Sequence, residues 1–508
     1  MKFLSPLLLP FLTLFAACSS GSLDGTPTAP PGDGDVAPVP DAGTPDAPEI
    51  GVEGMFARGA HALPGGGLIV LYEKPVHTKE RWGRPLRSVV WTDDFGRASA
   101  RRDASVGREL LDAVVHPSGD ITIVEASNEG YFLVRLDAHR SVRGETHLVD
   151  DEILTDPPAL GPAESRSPIE EVTHDTARLA AVGEGVFLGT RTGRHSVIAY
   201  RIDFEGSAFG VRSRTLIVPA HGITPTAMYG GTYDTFGQLD AHYGVFVAVD
   251  SSNMGWVGVG HARIELGAMV KAHAKVFGEA LETDPDWLDA YVTRVSPDGK
   301  RLGTSVISTP NDEQLYGLRA IDDAVYALGR SEQWNAEGTG FDAMVARVDR
   351  HGAVALTTFD VDRGDIAFDV VAPKVGGLVV VGASGYSQNP AGASVSEESR
   401  TFARWFTGDG STAMLDVPNG PRHNEVRFGI EHDGGLLVGG MLDGPGTHSA
   451  DGDLSLLRAR AFVTQARLPD SRMGTDLLAK PPIRRMCQGS RFAASTSTAR
   501  LPMHRIEQ

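Results

Sequence analysis

Cysteine is almost absent from this chain: Cys18 and Cys487 are the only two among 508 residues. Two cysteines cannot form a framework of several disulfides or a zinc centre built on cysteine. Positive charge is also scarce, since 47 lysines and arginines face 65 aspartates and glutamates, for a net charge of −18. A broad phosphate-binding surface for DNA or RNA is therefore not expected. Because disulfides and a cysteine-based zinc centre are excluded, hydrophobic packing must stabilise the fold.

Motifs of the common catalytic sites are missing as well. The sequence has no Gly-x-Ser-x-Gly nucleophile motif, no Walker phosphate loop and no His-Glu-x-x-His zinc motif. Acidic clusters at residues 150–156 and 170–175 carry the oxygen ligands that calcium prefers, but neither has the EF-hand spacing. We interpret both clusters as solvated loops, and we predict neither a bound metal nor a cofactor.

The first eighteen residues have the composition of an export signal. Lys2 provides a positive start, residues 3–17 form an apolar run with two prolines, and the run ends in two alanines before Cys18. This pattern predicts a secretory signal peptide over residues 1–17 rather than a membrane-spanning helix. The Ala-Ala-Cys ending resembles the lipobox of bacterial lipoproteins, although Phe15 stands where that family usually has leucine.

The lipobox resemblance implies that the signal is cleaved before Cys18 and that its thiol is acylated, which anchors the protein in a membrane. Ser19 follows the cysteine in place of an aspartate retention signal, so the resemblance implies an outer-membrane lipoprotein of the bacterial envelope. The alternative is ordinary secretion with an incidental Cys18. Residues 18–48 are rich in proline, glycine and aspartate without any aromatic residue, and this composition predicts a disordered tether.

A pattern of four short strands recurs from about residue 55 to residue 463. The third strand is its most regular part and carries arginine in six copies, whereas the first copy has Trp91 in that place. These six arginines are Arg135, Arg201, Arg294, Arg347, Arg404 and Arg458. Four short strands cannot bury their faces alone, so seven copies predict an all-β fold, a seven-bladed β-propeller over residues 49–463 with long loops on one face.

Two segments carry a resemblance to known repeats: Asp-Gly-Gly-Leu-Leu-Val-Gly-Gly at residues 433–440, and residues 342–352. They are similar to the delta-60 and related bacterial propeller repeats, and this similarity implies a fold but no particular reaction. The arginines permit interpretation as a ring of anion ligands. We favour a structural role, in which each covers apolar neighbours and pairs with a turn carboxylate such as Asp349.

In a propeller, the connections between strands one and two and between strands three and four lie on one face, here called the first face. All other connections lie on the second face. The long connections of this sequence belong to the second face, where binding residues concentrate. They are residues 73–86, 150–171, 221–242, 261–287, 331–340, 382–400 and 441–453.

Two of these connections contain the candidate binding residues. Apolar residues at helical spacing over residues 266–281, including His273, predict a helix that caps the channel mouth. The neighbouring glycine-bearing connection is rich in aromatic residues, which stack on sugars or anchor protein partners. Its candidate residues are Met228, Tyr229, Tyr233, Phe236 and Tyr243. Packing of the helix onto the blades and self-packing of the loop are the alternatives.

The C-terminal residues 464–508 carry a net charge of +5, and we predict a basic, disordered tail. The seventh copy lacks a fourth strand, which residues 50–57 are predicted to supply. From these features we expect a membrane-anchored scaffold without catalytic activity that binds a protein or a glycan, and no nucleic acid. The alternatives are an exported lyase or hydrolase with its site at the propeller mouth, and a purely structural envelope component.

Overall fold

The computed structural model describes residues 56–78, 81–93, 98–149, 164–165, 177–191, 196–218, 245–262, 289–309, 312–335, 338–362, 364–385, 387–388, 394–395, 399–408, 410–432, 434–444 and 459–468. Within these ranges the secondary structure is all β, and no helix is long and apolar enough to cross a membrane. The predicted signal peptide, tether, mouth helix and most of the basic tail lie outside the described residues.

Seven antiparallel sheets follow one another along the chain, and the strands of each sheet pair in chain order. Blade one contains β1 (Phe56–Ala62), β2 (Leu68–Thr78), β3 (Arg81–Thr92) and β4 (Ala98–Asp103). Blade two contains β5 (Glu109–Val115), β6 (Ile121–Ser127), β7 (Gly130–Leu136) and β8 (Val142–Leu148). The short strand β9 (Glu164–Ser165) pairs with β3. Blade three contains β10 (Ala177–Val182), β11 (Gly185–Arg191), β12 (Val197–Glu205) and β13 (Ala208–Val218).

The remaining blades repeat this order. Blade four contains β14 (Val245–Val249), β15 (Gly255–Ala262), β16 (Asp289–Val295) and β17 (Arg301–Ile307). Blade five contains β18 (Asp312–Ile321), β19 (Ala324–Asn335), β20 (Gly338–Asp349) and β21 (Val354–Phe359). Blade six contains β22 (Ile366–Val371), β23 (Leu378–Ser384), a separate two-stranded ladder of β24 (Ser387–Gln388) and β25 (Ser394–Val395), then β26 (Arg400–Phe406) and β27 (Thr412–Met414). Blade seven contains β28 (His423–His432), β29 (Gly435–Gly444) and β30 (Arg460–Ala466).

The hydrophobic core lies between the blades, and each pair of neighbouring blades shares at least one buried cluster. The cluster between blades one and seven closes the ring, because Ala60 and Val70 of blade one pack with Phe428 and Val463 of blade seven. Sheet faces that would otherwise meet water are thereby covered all around the axis. The predicted all-β, seven-bladed propeller is confirmed.

Blade seven has three described strands, and its predicted fourth strand falls mainly on residues 50–55, outside the described part. Phe56 and Ala57, the last part of that prediction, instead begin the innermost strand of blade one and pair with Glu73 and Tyr72.

The tight turns on the first face use glycine as the sequence predicts. Gly119 adopts a φ of 85° in the turn between β5 and β6, and Gly434 a φ of 74° between β28 and β29. Side chains larger than hydrogen are strained in this left-handed region. In the first of these turns, the N–H of Gly119 donates to the carbonyl of His116 over 2.8 Å.

Two of the predicted long loops are instead extended hairpins. The segment 73–86 continues the ladder of β2 and β3, which reaches Thr78 and Arg81. The segment 331–340 continues the ladder of β19 and β20, which reaches Asn335 and Gly338. Each additional residue pair keeps backbone groups hydrogen-bonded, which a loop would leave to water. Both hairpins extend strand-two to strand-three connections and therefore lie on the second face.

Strand register corrects the predicted ring of arginines. Four arginines of blades two to five share one position in the third strand: Arg135, Arg201, Arg294 and Arg347. In blade six that position belongs to Trp405, which is opposite Val379, and Arg404 lies one residue away. In blade seven it belongs to Gln465, seven residues after the predicted Arg458. The ring therefore contains four arginines, Trp91, Trp405 and Gln465.

The shared arginines contact turns rather than the channel. Arg135 donates to the carbonyl of Glu184 in the next blade over 3.0 Å, and Arg294 donates to the carbonyl of Arg350 in the next blade over 2.6 Å. Arg347 lies 4.0 Å from Asp323, not beside Asp349. The Asp349 carboxylate accepts the N–H groups of its own turn. These contacts favour a structural role for Arg135, Arg294 and Arg347.

Candidate functional site in the central channel

Ionisable side chains meet at the centre of the propeller, where the innermost strands of the blades surround the channel. They come from five different blades and are His61 in β1, Asp112 in β5, Arg178 in β10, Arg319 in β18 and Asp369 in β22. The side chain of Arg319 keeps 37% of its accessible surface although its strand is innermost. It is therefore exposed toward the channel rather than toward the outer surface.

Asp369 joins blade six to both neighbouring blades. Its carboxylate accepts the N–H of Val370 over 2.8 Å and the N–H of Gly429, on the innermost strand of blade seven, over 3.1 Å. Arg319 of blade five donates to the same carboxylate through Nε, at 3.0 Å, and through a terminal nitrogen. This carboxylate raises the pKa of Arg319, so the guanidinium stays charged. All the acceptor positions of Asp369 are thus engaged within the protein.

Asp112 repeats this arrangement on another side of the ring. Its carboxylate accepts the N–H of Ala113 and the N–H of Leu179, on the innermost strand of blade three, each over 2.9 Å. Arg178 lies 3.8 Å from the same carboxylate. Asp112 and Asp369 both directly follow a β-bulge. An innermost strand has no ladder partner on its channel side, and the carboxylate supplies the acceptor that a neighbouring strand would provide.

His61 is the one imidazole among these five channel residues. Burial lowers its pKa, and the charge of Arg319 lowers it further. Asp112, Asp369 and a hydrogen bond with the backbone of Ala113 oppose this shift without reversing it. The imidazole is therefore neutral at pH 7, which is the form that acts as a general base.

A second polar cluster resembles a catalytic triad in its residue types. Ser399 Oγ lies 2.6 Å from Nδ1 of His423, and Nε2 of His423 lies 2.8 Å from Glu425 Oε1. Ser399 Oγ also donates to the carbonyl of Asn424 and accepts its N–H, each over 2.9 Å. Ser399 and His423 have no exposed surface. Because the hydroxyl is enclosed and fully bonded, it acts as a structural link and not as a nucleophile.

Asp365, between blades five and six, is a further perturbed group. It is fully buried, and burial raises its pKa to about 7. The nearby charge of Asp360 raises it as well, whereas the N–H groups of Val361 and Asp362 stabilise the carboxylate and act in the opposite direction. Asp365 therefore takes up a proton near neutral pH. In the part of the chain that the structure describes, no three acidic, histidine or cysteine side chains are arranged to hold a metal ion.

None of the residues proposed from sequence as functional lies in the described part of the chain. They are Cys18, the predicted lipid attachment site, and the candidate binding residues Met228, Tyr229, Tyr233, Phe236, Tyr243 and His273. Their roles stay predictions. The channel residues were missed, although the sequence contains a signal for two of them: Asp112 and Asp369 each interrupt an apolar run at the same place of the first strand.

No protein-family model and no curated protein matches this sequence. Solved structures with a similar fold are found, at low sequence identity. A catalytically inactive virginiamycin B lyase from Staphylococcus aureus, solved with quinupristin, is 10% identical, with a TM-score of 0.41 over 82% of this chain and 98% of that chain. Drosophila plexin A, solved in complex with semaphorin 1b, is 9% identical, with a TM-score of 0.39 over 80% of this chain and 88% of that chain. The Pan2 WD40 domain of Neurospora crassa is 10% identical, with a TM-score of 0.33 over 64% of this chain and 85% of that chain. At this level of similarity neither a shared family nor a shared activity follows.

Proposed function

We propose that this protein is an exported, lipid-anchored propeller of the bacterial outer membrane that binds a protein or a glycan on its second face and does not transform it. The observation that supports a non-catalytic role is that the channel carboxylates hydrogen-bond to the backbone. Asp112 and Asp369 each accept two backbone N–H groups, one from their own strand and one from the next blade. A carboxylate whose oxygens accept these hydrogen bonds has fewer free acceptor positions to offer to a ligand.

The second face supports the binding part of the proposal. The hairpin β2–β3 and the hairpin β19–β20 both extend beyond the common blade length on this face. Long connections on a rigid ring present residues to a partner while the blades hold them in place. The aromatic residues Tyr229, Tyr233 and Phe236 belong to another long connection of the same face and are the proposed contacts for sugar rings or a protein surface.

The test is binding followed by chemical analysis of the bound molecule. The mature protein would be titrated against a panel of defined envelope glycans and purified envelope proteins, and each bound molecule would then be recovered and weighed by mass spectrometry. We expect saturable binding and recovery of the ligand with unchanged mass. Recovery of a cleaved or eliminated product would refute the non-catalytic proposal.

The second candidate is an exported lyase or hydrolase with its site at the channel mouth, and His61 is the observation that favours it. A neutral imidazole beside Arg319 provides a base next to a cation that stabilises developing negative charge. This candidate predicts turnover that is lost in His61→Gln while the fold is retained. Unchanged turnover in that variant would exclude His61 as the base.

A further inference from the structure

On the first face, blade two holds a carboxylate between two arginines. Asp120 accepts from Nε of Arg135 over 3.1 Å and from a terminal nitrogen of Arg143 over 2.6 Å. Glu184, in the first turn of blade three, engages the other side of Arg135 with its carboxylate. Arg135 has no exposed surface, so these two carboxylates neutralise a buried cation.

Blade three repeats both arginines at corresponding positions. Arg201 in the third strand of blade three is opposite Phe187 of the second strand, and Arg135 is opposite Thr122 at the same place of blade two. Arg212 is the extra residue of the bulge in the fourth strand, where blade two has Arg143. The two blades therefore build the same two-arginine clamp.

Blade three lacks both carboxylates of the clamp. In blade three, strand register places Gly185 at the position of Asp120 in blade two. The residue that faces Arg201 from the next blade is Asn253 of blade four, at the position from which Glu184 of blade three faces Arg135. The backbone contact is kept, since Arg201 donates to the carbonyl of Asn253. A side chain cannot be restored at the first position, because a Cβ there would lie 2.6 Å from a backbone oxygen.

A cavity of about 110 Å³ lies at this point, lined by Arg201, Arg212, Asn253 and the apolar side chains of Val182 and Val186. It has the volume of three to four water molecules, at about 30 Å³ each. Arg201 is 4% exposed, and among the described residues its Nε has no hydrogen-bond partner.

Two arginines and one carboxylate line the cavity. Asp203 is the carboxylate that also lines it, and this carboxylate lies 3.9 Å from Arg212 and makes no ion pair with Arg201 within the described part of the chain. Burial lowers the pKa of Arg201 to about 10, and the charge of Arg212 acts in the same direction, whereas the charges of Asp203 and Asp250 oppose the shift without reversing it. Within the described part of the chain, Arg201 thus lacks the direct carboxylate contacts that Arg135 makes with Asp120 and Glu184.

We propose that this cavity binds a carboxylate group from outside the chain, held between Arg201 and Arg212 as Asp120 is held between Arg135 and Arg143. The ligand class is a small carboxylate or a carboxylate-bearing molecule whose charged group enters from the first face. A guanidinium pair matches the planar carboxylate with parallel hydrogen bonds, which explains the choice of carboxylate over a neutral ligand. This site is separate from the second face and does not depend on its function.

The test titrates the mature protein with sodium acetate against sodium chloride at constant ionic strength, using calorimetry and the thermal unfolding midpoint. Acetamide serves as the neutral probe of the same shape. We expect saturable binding of acetate and none of acetamide. Arg212→Gln should weaken acetate binding at least tenfold, and the exposed position of Arg212, with 62% of its side-chain surface accessible, should leave the fold intact.

The matched control is Arg143→Gln, which removes the corresponding arginine from the clamp that already holds Asp120. Acetate affinity should stay within twofold of the unmodified protein. Asn253→Asp is a second variant: it introduces a carboxylate at the cavity in a left-handed position, φ 62°, that aspartate tolerates, and it should also weaken acetate binding. Equal affinity in the unmodified protein and Arg212→Gln, equal losses in both arginine variants, or tighter binding of sulfate than of acetate would overturn the proposal.

Discussion

Removing the carboxylate of Asp369 should unfold the propeller at markedly lower denaturant concentration. In Asp369→Ala the N–H groups of Val370 and Gly429 lose their acceptor, and each buried unsatisfied donor costs about 1–3 kcal/mol. Arg319 loses its partner as well, but its side chain is 37% exposed to the channel, so water can solvate it and little further cost is expected. The free energy of unfolding should therefore fall by about 2–6 kcal/mol.

The assay is urea unfolding followed by tryptophan fluorescence, with the slope of the transition checked for equality between variants. Asp103→Ala is the control, because Asp103 keeps 63% of its side-chain surface and pairs with Arg101, which keeps 44%. That exposed pair should contribute at most about 1 kcal/mol. Equal midpoints for Asp369→Ala and Asp103→Ala would refute the claim that Asp369 locks neighbouring blades together.

Three further predictions address the anchor, the ring of arginines and the pH dependence. Cys18→Ser should abolish acylation and stable membrane attachment, and mass spectrometry of an unmodified natural chain that begins elsewhere would exclude the anchor. Arg347→Ala should lower the free energy of unfolding by at most about 1 kcal/mol and leave ligand affinity intact, whereas a tenfold loss of binding without unfolding would assign it a ligand role. Asp365 binds its proton more tightly in the folded protein, so its contribution to stability is complete below pH 4 and is lost as the pH rises through about 7. As the pH is raised from 5 to 8, the free energy of unfolding of Asp365→Asn should therefore increase relative to that of the unmodified protein. Parallel pH profiles of the two free energies would contradict this.

The number of blades could be predicted from the sequence, because each strand is indicated by residues adjacent to one another in the chain. Alternating apolar residues and turn glycines recur at positions such as Gly119 and Gly434, and these local signals do not depend on which strands later meet. Register is different. The third strand of blade six contains Arg404 and Trp405 side by side, and a shift of one residue moves a side chain to the opposite face of the sheet. The sequence pattern alone favoured the arginine, whereas the pairing with β23 selects Trp405.

The channel cluster was not accessible, because its members come from blades one, two, three, five and six and meet only when the ring closes. Asp112 and Asp369 are separated by more than half of the repeat region, and the link between them is the shared chemistry of a bulged innermost strand. An aspartate inside an apolar strand was the available signal. The extended hairpins were missed for a related reason, since polar residues such as Glu332 and Gln333 indicate a loop until their strand partner is known.

Two double variants, compared in the same binding assay, distinguish a ligand site on the second face from one in the channel. Tyr229→Ala with Tyr233→Ala removes the proposed contacts of the second face, and Asp112→Asn with Asp369→Asn alters the channel carboxylates. For any glycan or protein of the panel that the unmodified protein binds, we predict at least a tenfold loss of affinity in the tyrosine variant. The aspartate variant should bind as before at a temperature where it stays folded. Unchanged binding in the tyrosine variant, with loss in the folded aspartate variant, would place the ligand in the channel and contradict the account.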